Sequence, residues 1–442
     1  MRKLFAILFF TSVLNAAAAT PIWIGNATAK AQISTGAIAS VDATPSNNTF
    51  TVTIGGATVT VTGVTSANAT AAALVTALTA STHPYFAAVT WTNPSGANIT
   101  GTAAVPGVPF TATISKAGAG TGTVTAFSTS TANAGPSDWN TAAKWSTGAI
   151  PVTGDDVVIS DSTLNISFGL DQHLVLLNSL RIAQSYTGLL GLNRSVFTTS
   201  ADGNTNNALY TEYQPLYLQV GLQSSQLVVI GESNSTSGST LAGARRIMLD
   251  LGSSAGTVEI QNTSSSAAES SRPVVRIKCN NASLNCFVRS APGGFGVAID
   301  QNGETSTLGK MEITDTTGAS KVVTGLGTTI TTWEQYSGTN KLQAGATVTT
   351  VNVKAGTLQI EGSFATTTLN LYAGTLKTNS TGTITTMNLY GGTVDFTGSS
   401  RARTVTTLNW PAGSTATLTA DMSVLTIGTF NPPTTKFSFT AR

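Results

Sequence analysis

Charge is what this sequence has least of. Only 10% of its 442 residues are Asp, Glu, Lys or Arg, against about 25% in an ordinary soluble chain. The 22 basic and 20 acidic residues form no long run of one sign and leave a formal net charge of +2. No electrostatic footprint for a polyanion results, so nucleic acid is not expected as a partner. The tight basic clusters Arg245-Arg246 and Arg401-Ala402-Arg403 read as solvated turns. Histidine occurs only as His83 and His173, neither of them near a cysteine, which argues against zinc. No metal or cofactor is expected. Long apolar runs are missing too. The longest, Leu4 to Leu14, has 11 residues, whereas a bilayer-spanning helix takes about 20, so no transmembrane segment is expected in the mature chain.

That short run is informative in its context. Arg2-Lys3 precedes it and Ala16-Ala17-Ala18-Ala19 follows, the charge, apolar stretch and small-residue site of a secretory signal peptide. Residues 1–19 are read as that address, with the mature chain starting near Thr20 and a secreted or extracellular surface location. The absence of cysteine at the cleavage site argues against a lipid anchor. The only cysteines are Cys279 and Cys286. An even count, local spacing and export favour a disulfide closing an eight-residue loop, worth about 2.5 kcal/mol in the chain-entropy account.

What the chain has in abundance is Thr, Ser, Asn and Gly, and near its end they are periodic. Thr332-Trp333-Glu334, Thr350-Val351-Asn352-Val353, Thr368-Leu369-Asn370-Leu371, Thr386-Met387-Asn388-Leu389 and Thr407-Leu408-Asn409-Trp410 repeat one phrase. Each is followed by a glycine, Gly338, Gly356, Gly374 and Gly392 at steps of 18 and Gly413 after 21. A helical repeat needs about 33 residues or more, whereas 18 suffice for three short strands with tight corners. The expected fold is therefore mainly β, a parallel β-helix, with regular 18-residue coils over residues 330–442.

Strand alternation assigns the faces. Val351/Val353, Leu369/Leu371, Met387/Leu389, Leu408/Trp410, Leu358/Ile360 and Val394/Phe396 should point inward. Asn352, Asn370, Asn388 and Asn409 should point outward, beside a second outer column of Tyr336, Lys354, Tyr372 and Tyr390. Stacked at about 4.7–4.9 Å, these columns form either ladders that hold the stack together or a strip of rings and amides able to receive a glycan.

Ahead of the coils the text changes. Phe50–Ile54 and Ala57–Val61 alternate across Gly55-Gly56 as a hairpin. Ala67, Ala71, Leu74, Val75 and Leu78 fall at helical spacing behind a Thr65 or Ser66 cap. Val89–Thr92, Asn98–Thr102, Pro109–Ser115 and Thr121–Phe127 return to strand spacing. Residues 20–132 thus read as a small α+β domain of ββαβββ type, one sheet with a helix laid on one face. Residues 133–163 carry Trp139 and Trp145 and read as a linker and solenoid cap. Asp155, Asp156 and Asp161 suit turn chemistry better than calcium. Residues 164–329, with short apolar segments such as Leu174–Leu177, Ile247–Leu251 and Val274–Ile277, read as less regular coils whose loops include Ser233–Ser239 and Ser264–Ser271.

The order Trp23-Ile24-Gly25-Asn26, α+β module, Trp139 to Ile159, Leu177-Asn178-Ser179-Leu180-Arg181-Ile182, Ser185 to Leu192 and terminal coils through Arg401-Ala402-Arg403-Thr404-Val405-Thr406 resembles a group of uncharacterised phage-like and planctomycete-type surface proteins. The resemblance covers nearly the whole chain and brings no catalytic residues. It implies a structural role on a particle or cell surface. Three functions compete: an exported, non-catalytic structural or adhesive solenoid contacting a glycan or other surface proteins, a virion tail or fibre component, and a polysaccharide-degrading β-helix. For the last, Glu312 with Asp315, Glu334, Glu361 and Asp395 are the carboxylates on the coils, and no acid/base pair is specified among them. The first is the expectation.

Overall fold

The computed structural model describes residues 18–25, 30–135, 137–186, 188–191, 217–231, 247–261, 275–290, 296–299, 305–315, 321–325, 327–343, 345–432 and 440–441. It is mainly β, with a parallel β-solenoid of about nine turns from residue 156 to 431, preceded by small antiparallel sheets and a helix. Residues 1–17 of the signal segment, Arg245-Arg246 and the serine loops at 233–239 and 264–271 lie outside the described residues.

In the N-terminal region β1 (Ile33–Ser40), β2 (Thr49–Ile54), β3 (Ala57–Thr62), α1 (Ala67–Ala80), β4 (Val89–Thr92), β5 (Asn98–Ala103), β6 (Thr113–Ala117) and β7 (Thr123–Thr131) follow in order. The helix starts where its cap requires: Ser66 Oγ accepts from Ala69 N at 3.2 Å, and Ala71, Leu74 and Leu78 are buried. The strands divide between two sheets, β4-β5-β1-β7 and β3-β2-β6, where sequence spacing suggested one. The split lies in the pairing: β2 takes β3 and β6 as neighbours, whereas β1 takes β5 and β7, so the two sets form separate sheets. The additional strand β1 is built of small residues; its Gly36 packs so closely on Phe127 that a Cβ there would lie 3.2 Å from the ring. Phe50, Val52, Leu74, Phe86, Trp91 and Ile99 form the shared core of this region.

The solenoid begins with Asp156–Ile159. That strand pairs in parallel with Ser179–Ile182, and the same face continues unbroken through Leu227–Ile230, Thr257–Ile260, Asn285–Val288, Lys310–Ile313, Thr332–Gln335 and each later coil to Thr429–Asn431. Inward positions are those the alternation assigns: Val351, Val353, Leu369, Leu371, Met387 and Leu389 are all fully buried. A parallel ladder in this register superimposes like residues from successive coils. Interior columns of Val, Leu, Ile and Met therefore pack on one another along the axis, and each coil removes its neighbour's apolar surface from water.

The recurring glycines have a double reason. Gly338, Gly356, Gly374 and Gly392 have φ of 80°, 78°, 82° and 84°, the left-handed region where a side chain is strained. A Cβ on Gly356 or Gly374 would also meet the carbonyl oxygen of the glycine one coil back at 2.4 Å. Those same carbonyls accept from Thr357 N and Thr375 N at 2.8 Å, so the corner is stitched from coil to coil through the position that must stay bare.

The first coil is capped as its tryptophans suggest, with one unexpected contributor. Trp139 and Trp145 are buried with ring centroids 4.6 Å apart, edge to face, and Trp145 Nε1 donates to Trp139 O. Trp23 joins them 5.1 Å from Trp145. It arrives because the segment around Pro21–Trp23 lies alongside Asp156–Ile159, with Trp23 N donating to Val158 O and Val158 N to Pro21 O. The outermost strand edge is thereby covered. Asp155 and Asp156 do turn and ladder work: Asp155 Oδ2 accepts from Val152 N, and Asp156 Oδ1 accepts from Asn178 Nδ2 and Ser179 Oγ.

Two expectations are corrected. Cys279 and Cys286 are free thiols, not a disulfide. Cys286 is an inward residue stacked between Val258 and Met311 of the neighbouring coils, and Cys279 Sγ donates to Thr307 O at 3.1 Å. Burial pushes the Cys279 thiol up to about 12 and Cys286 higher still, which suppresses the thiolate that disulfide exchange requires. Arg403 is not a solvated turn residue. It is buried, with its guanidinium donating to the carbonyls of Phe396 and Ser399 and so pinning the loop between them.

Candidate functional site

The outer face of the continuous sheet carries the candidate residues, and the structure brings the asparagines together as one chain of hydrogen bonds. Asn370 Nδ2 donates to Asn352 Oδ1 at 2.8 Å, Asn388 to Asn370 at 2.7 Å and Asn409 to Asn388 at 2.7 Å. The row runs further than its sequence motif, to Asn431 at one end and to Glu334, which accepts from Asn352 at 3.4 Å, at the other. An amide is donor and acceptor at once, so identical residues can be stacked without a mismatch. Each such bond contributes about 0.5–1.5 kcal/mol.

Beyond Glu334 the row changes chemistry. Lys310 Nζ lies 3.0 Å from Glu334 and 2.8 Å from Glu312, and Arg289 lies 3.1 Å from Glu312 and 3.7 Å from Glu259. Burial opposes ionisation of Glu312, but hydrogen bonds from Lys310 and Arg289 outweigh it and hold the carboxyl below its ordinary value. The hydrogen bond to Glu312 raises Lys310 in turn. Among the carboxylates weighed for glycoside chemistry, Glu312 and Glu334 are thus brought side by side, as two arms around one ammonium. Glu361 is bound to Lys341 at 2.7 Å. Asp395 accepts from the hydroxyl and N–H of Thr397, which lower its pKa.

The second column also assembles, in a form that the sequence did not specify. Tyr372 and Tyr390 are stacked with centroids 4.9 Å apart and planes within 8° of parallel. Lys354 Nζ sits 4.4 Å from the Tyr336 ring centroid and donates to Tyr336 Oη at 2.7 Å, which raises the Lys354 pKa. The tyrosines are 39–44% exposed. Tyr372 and Tyr390 thus turn ring faces toward each other along the axis, and what the stack offers outward is ring edges and hydroxyls.

Two further features escaped sequence reasoning. Each regular coil bends within its longer strand, since the residue after each of Ile330, Val348, Thr366, Ile384 and Val405 drops out of the ladder register. The residue at the bend is an exposed threonine in each coil, Thr331, Thr349, Thr367, Thr385 and Thr406; the signal was a recurring Thr-x-Thr. On the early coils, Leu174 is 80% and Leu176 42% exposed. Leu176 and His173 border a cavity of about 180 Å³ with Val220, Gly221, Leu251 and Ser254, where His173 Nδ1 lies 2.5 Å from Asp171 Oδ1.

No protein-family profile, curated protein or solved structure matches the chain. Among the described residues no helix is long and apolar enough to cross a membrane, and no cluster of three metal-ligating side chains occurs.

Proposed function

We propose that the protein is an exported, non-catalytic surface solenoid, a stiff rod with structural and adhesive roles that meets a glycan or surface polymer along the Tyr336, Lys354, Tyr372, Tyr390 column. The observation that carries this reading is the register: Tyr336, Lys354, Tyr372 and Tyr390 are set one above the next from coil to coil, so the outer face presents a row of four shallow polar contacts. Weak contacts repeated on a rigid surface gain strength through effective concentration. Because the Tyr372 and Tyr390 faces lie against each other, contact with a sugar runs through phenol hydroxyls and ring edges, with Lys354 beside them. The bound amides of Asn352, Asn370 and Asn388 keep the strip straight. In this reading the carboxylates around Lys310 and Arg289 serve cohesion between coils.

The test is attachment of the full chain to immobilised glycans and to cells, compared with Tyr372→Ser/Tyr390→Ser. Lost attachment with an intact melting transition is the expected result. Unchanged attachment assigns the tyrosines to cohesion alone, and hydrolysis of any polysaccharide that depends on a single carboxylate overturns the non-catalytic role.

A further inference from the structure

The early coils hold a cavity that the tyrosine column does not use. Gln172 pairs with Val220 and Leu176 with Gly221, so His173, Leu174 and Val175 loop out from a strand whose neighbour runs straight on. Such a bulge re-aims the side chains it carries. Its far end is fixed, because Leu176 N donates to Thr153 Oγ1 and Gly154 N to Leu176 O. Leu176 then leans across Gly221, where a Cβ would lie 2.4 Å from its Cδ2. On the other side of Gln219 the next coil reaches Asp250 and turns at once, with Ser254 Oγ accepting from Leu222 N at 2.8 Å. Bulge, bare glycine and turn enclose a hollow of about 180 Å³.

Its lining has two chemistries. Leu176, Val220 and Leu251 make an aliphatic side, and His173, Gln219, Ser253 and Ser254 bring polar groups with bonding capacity to spare. Nδ1 of His173 lies beside Asp171 Oδ1; a carboxylate only accepts, so Nδ1 carries the hydrogen and Nε2 is left as an acceptor. Among the described residues the Gln219 amide and the Ser253 hydroxyl have no hydrogen-bond partner, and the Ser254 hydroxyl accepts without donating. The nearby charges are already engaged, Asp171 by His173 and Asp250 by Gly252 N and by Lys278 at 3.4 Å. The hollow therefore suits a neutral ligand. Size narrows the choice, since an engineered cavity of about 150 Å³ holds one benzene ring. The space takes a single six-membered ring and no chain. His173 and Ser253 stand two coils apart, about 9–10 Å at the spacing of stacked strands, so a ring resting on the middle coil meets both. Hydroxyls around that ring both donate and accept, which serves an imidazole acceptor, an amide and two serines alike, while its C–H face suits Leu176 and Leu251. A bare aromatic ring would leave the polar side unserved. We infer that this hollow binds a single neutral sugar ring. The inference is independent of the tyrosine column, which lies on the later coils.

The chain has two histidines, so the full-length protein labelled in histidine gives two imidazole resonances, with His83 of the N-terminal region as an internal control. At fixed pH it is titrated with neutral hexoses, an N-acetylhexosamine and a 6-deoxyhexose, and with cyclohexanol, acetate and methylammonium at the same millimolar concentrations. Expected is a saturable shift of the His173 signal with at least one sugar, none with the three controls, and a still His83. Ser253→Trp, at an exposed turn position, fills the hollow, and Gln219→Leu removes its amide; each should weaken that sugar by about tenfold or more. Tyr372→Ser/Tyr390→Ser leaves it unchanged. No shift with any sugar, equal shifts of both histidines, or a response to any control as strong as to the sugar overturns the inference, as does unchanged binding by either folded hollow variant. Should both variants misfold, the titration of the unaltered protein decides alone.

Discussion

The early and late coils of one solenoid solve the same stacking problem with different chemistry. From Glu259 to Glu334 the outer row binds acidic to basic side chains, Glu259, Arg289, Glu312, Lys310 and Glu334. From Asn352 to Asn431 it is asparagine alone. A row of identical residues can be cohesive only if the side chain both donates and accepts, because stacked carboxylates or ammonium groups repel at the coil spacing. A tight 18-residue repeat copies one residue onto itself and so calls for asparagine. Coils separated by insertions do not copy themselves, and there charges of opposite sign can be interleaved. Glu334 is the junction, accepting from Lys310 on one side and Asn352 on the other.

The comparison can be broken most severely from inside, where both halves are alike. Leu371→Asp or Leu389→Asp puts an unpaired charge into a dry column and should cost more than about 4 kcal/mol, seen as loss of the cooperative melting transition. Asn370→Asp removes the donor to Asn352 Oδ1 and sets two acceptors face to face, for about 1–3 kcal/mol by urea denaturation. In the charged half, Lys310→Met leaves Glu312 and Glu334 facing each other. Because these groups are part exposed and screened, about 1 kcal/mol is expected, and the loss should shrink in high salt, whereas that of Asn370→Asp should not. If both losses respond equally to salt, the distinction between the two rows fails.

Tyr372→Ser/Tyr390→Ser should cost about 0.5–1.5 kcal/mol for the lost ring stack, readable as a small shift in melting temperature. The thiols sharpen the comparison least but test the interior directly. Native protein should resist alkylation at Cys279 and Cys286, and unfolded protein should expose two reactive thiols; none would mean a disulfide. Their folded pKa values lie above the ordinary value near 9, with Cys279 at about 12. The folded state therefore keeps protons that the unfolded state releases. Their contribution to stability is complete below about pH 9 and declines as pH rises towards 12, and Cys286→Val should flatten that decline.

Much of this was legible in the chain itself, because a solenoid is nearly one-dimensional. Once Gly338, Gly356, Gly374 and Gly392 mark the period, strand alternation decides that Leu369 and Leu371 face in and Asn370 faces out, and the amide row follows from the repeat. Ser66 and the spacing of Ala71, Leu74 and Leu78 define the helix by the same local logic. Only the tertiary structure decided the rest, and in each case the deciding contact joins residues that no local pattern connects. Trp23 lies on the solenoid cap through an edge offered by Val158, 135 positions along the chain. β6 joins β2 while β7 joins β1, and the strands part into two sheets. Cys286 points into the interior because Val258 and Met311 are its neighbours across the coils, and Tyr372 turns its ring face onto Tyr390 because the stack brings them within ring contact. Periodicity determines which residues recur on a face. The direction a ring or thiol finally takes depends on what the next coil places beside it, and that is set by packing across the axis.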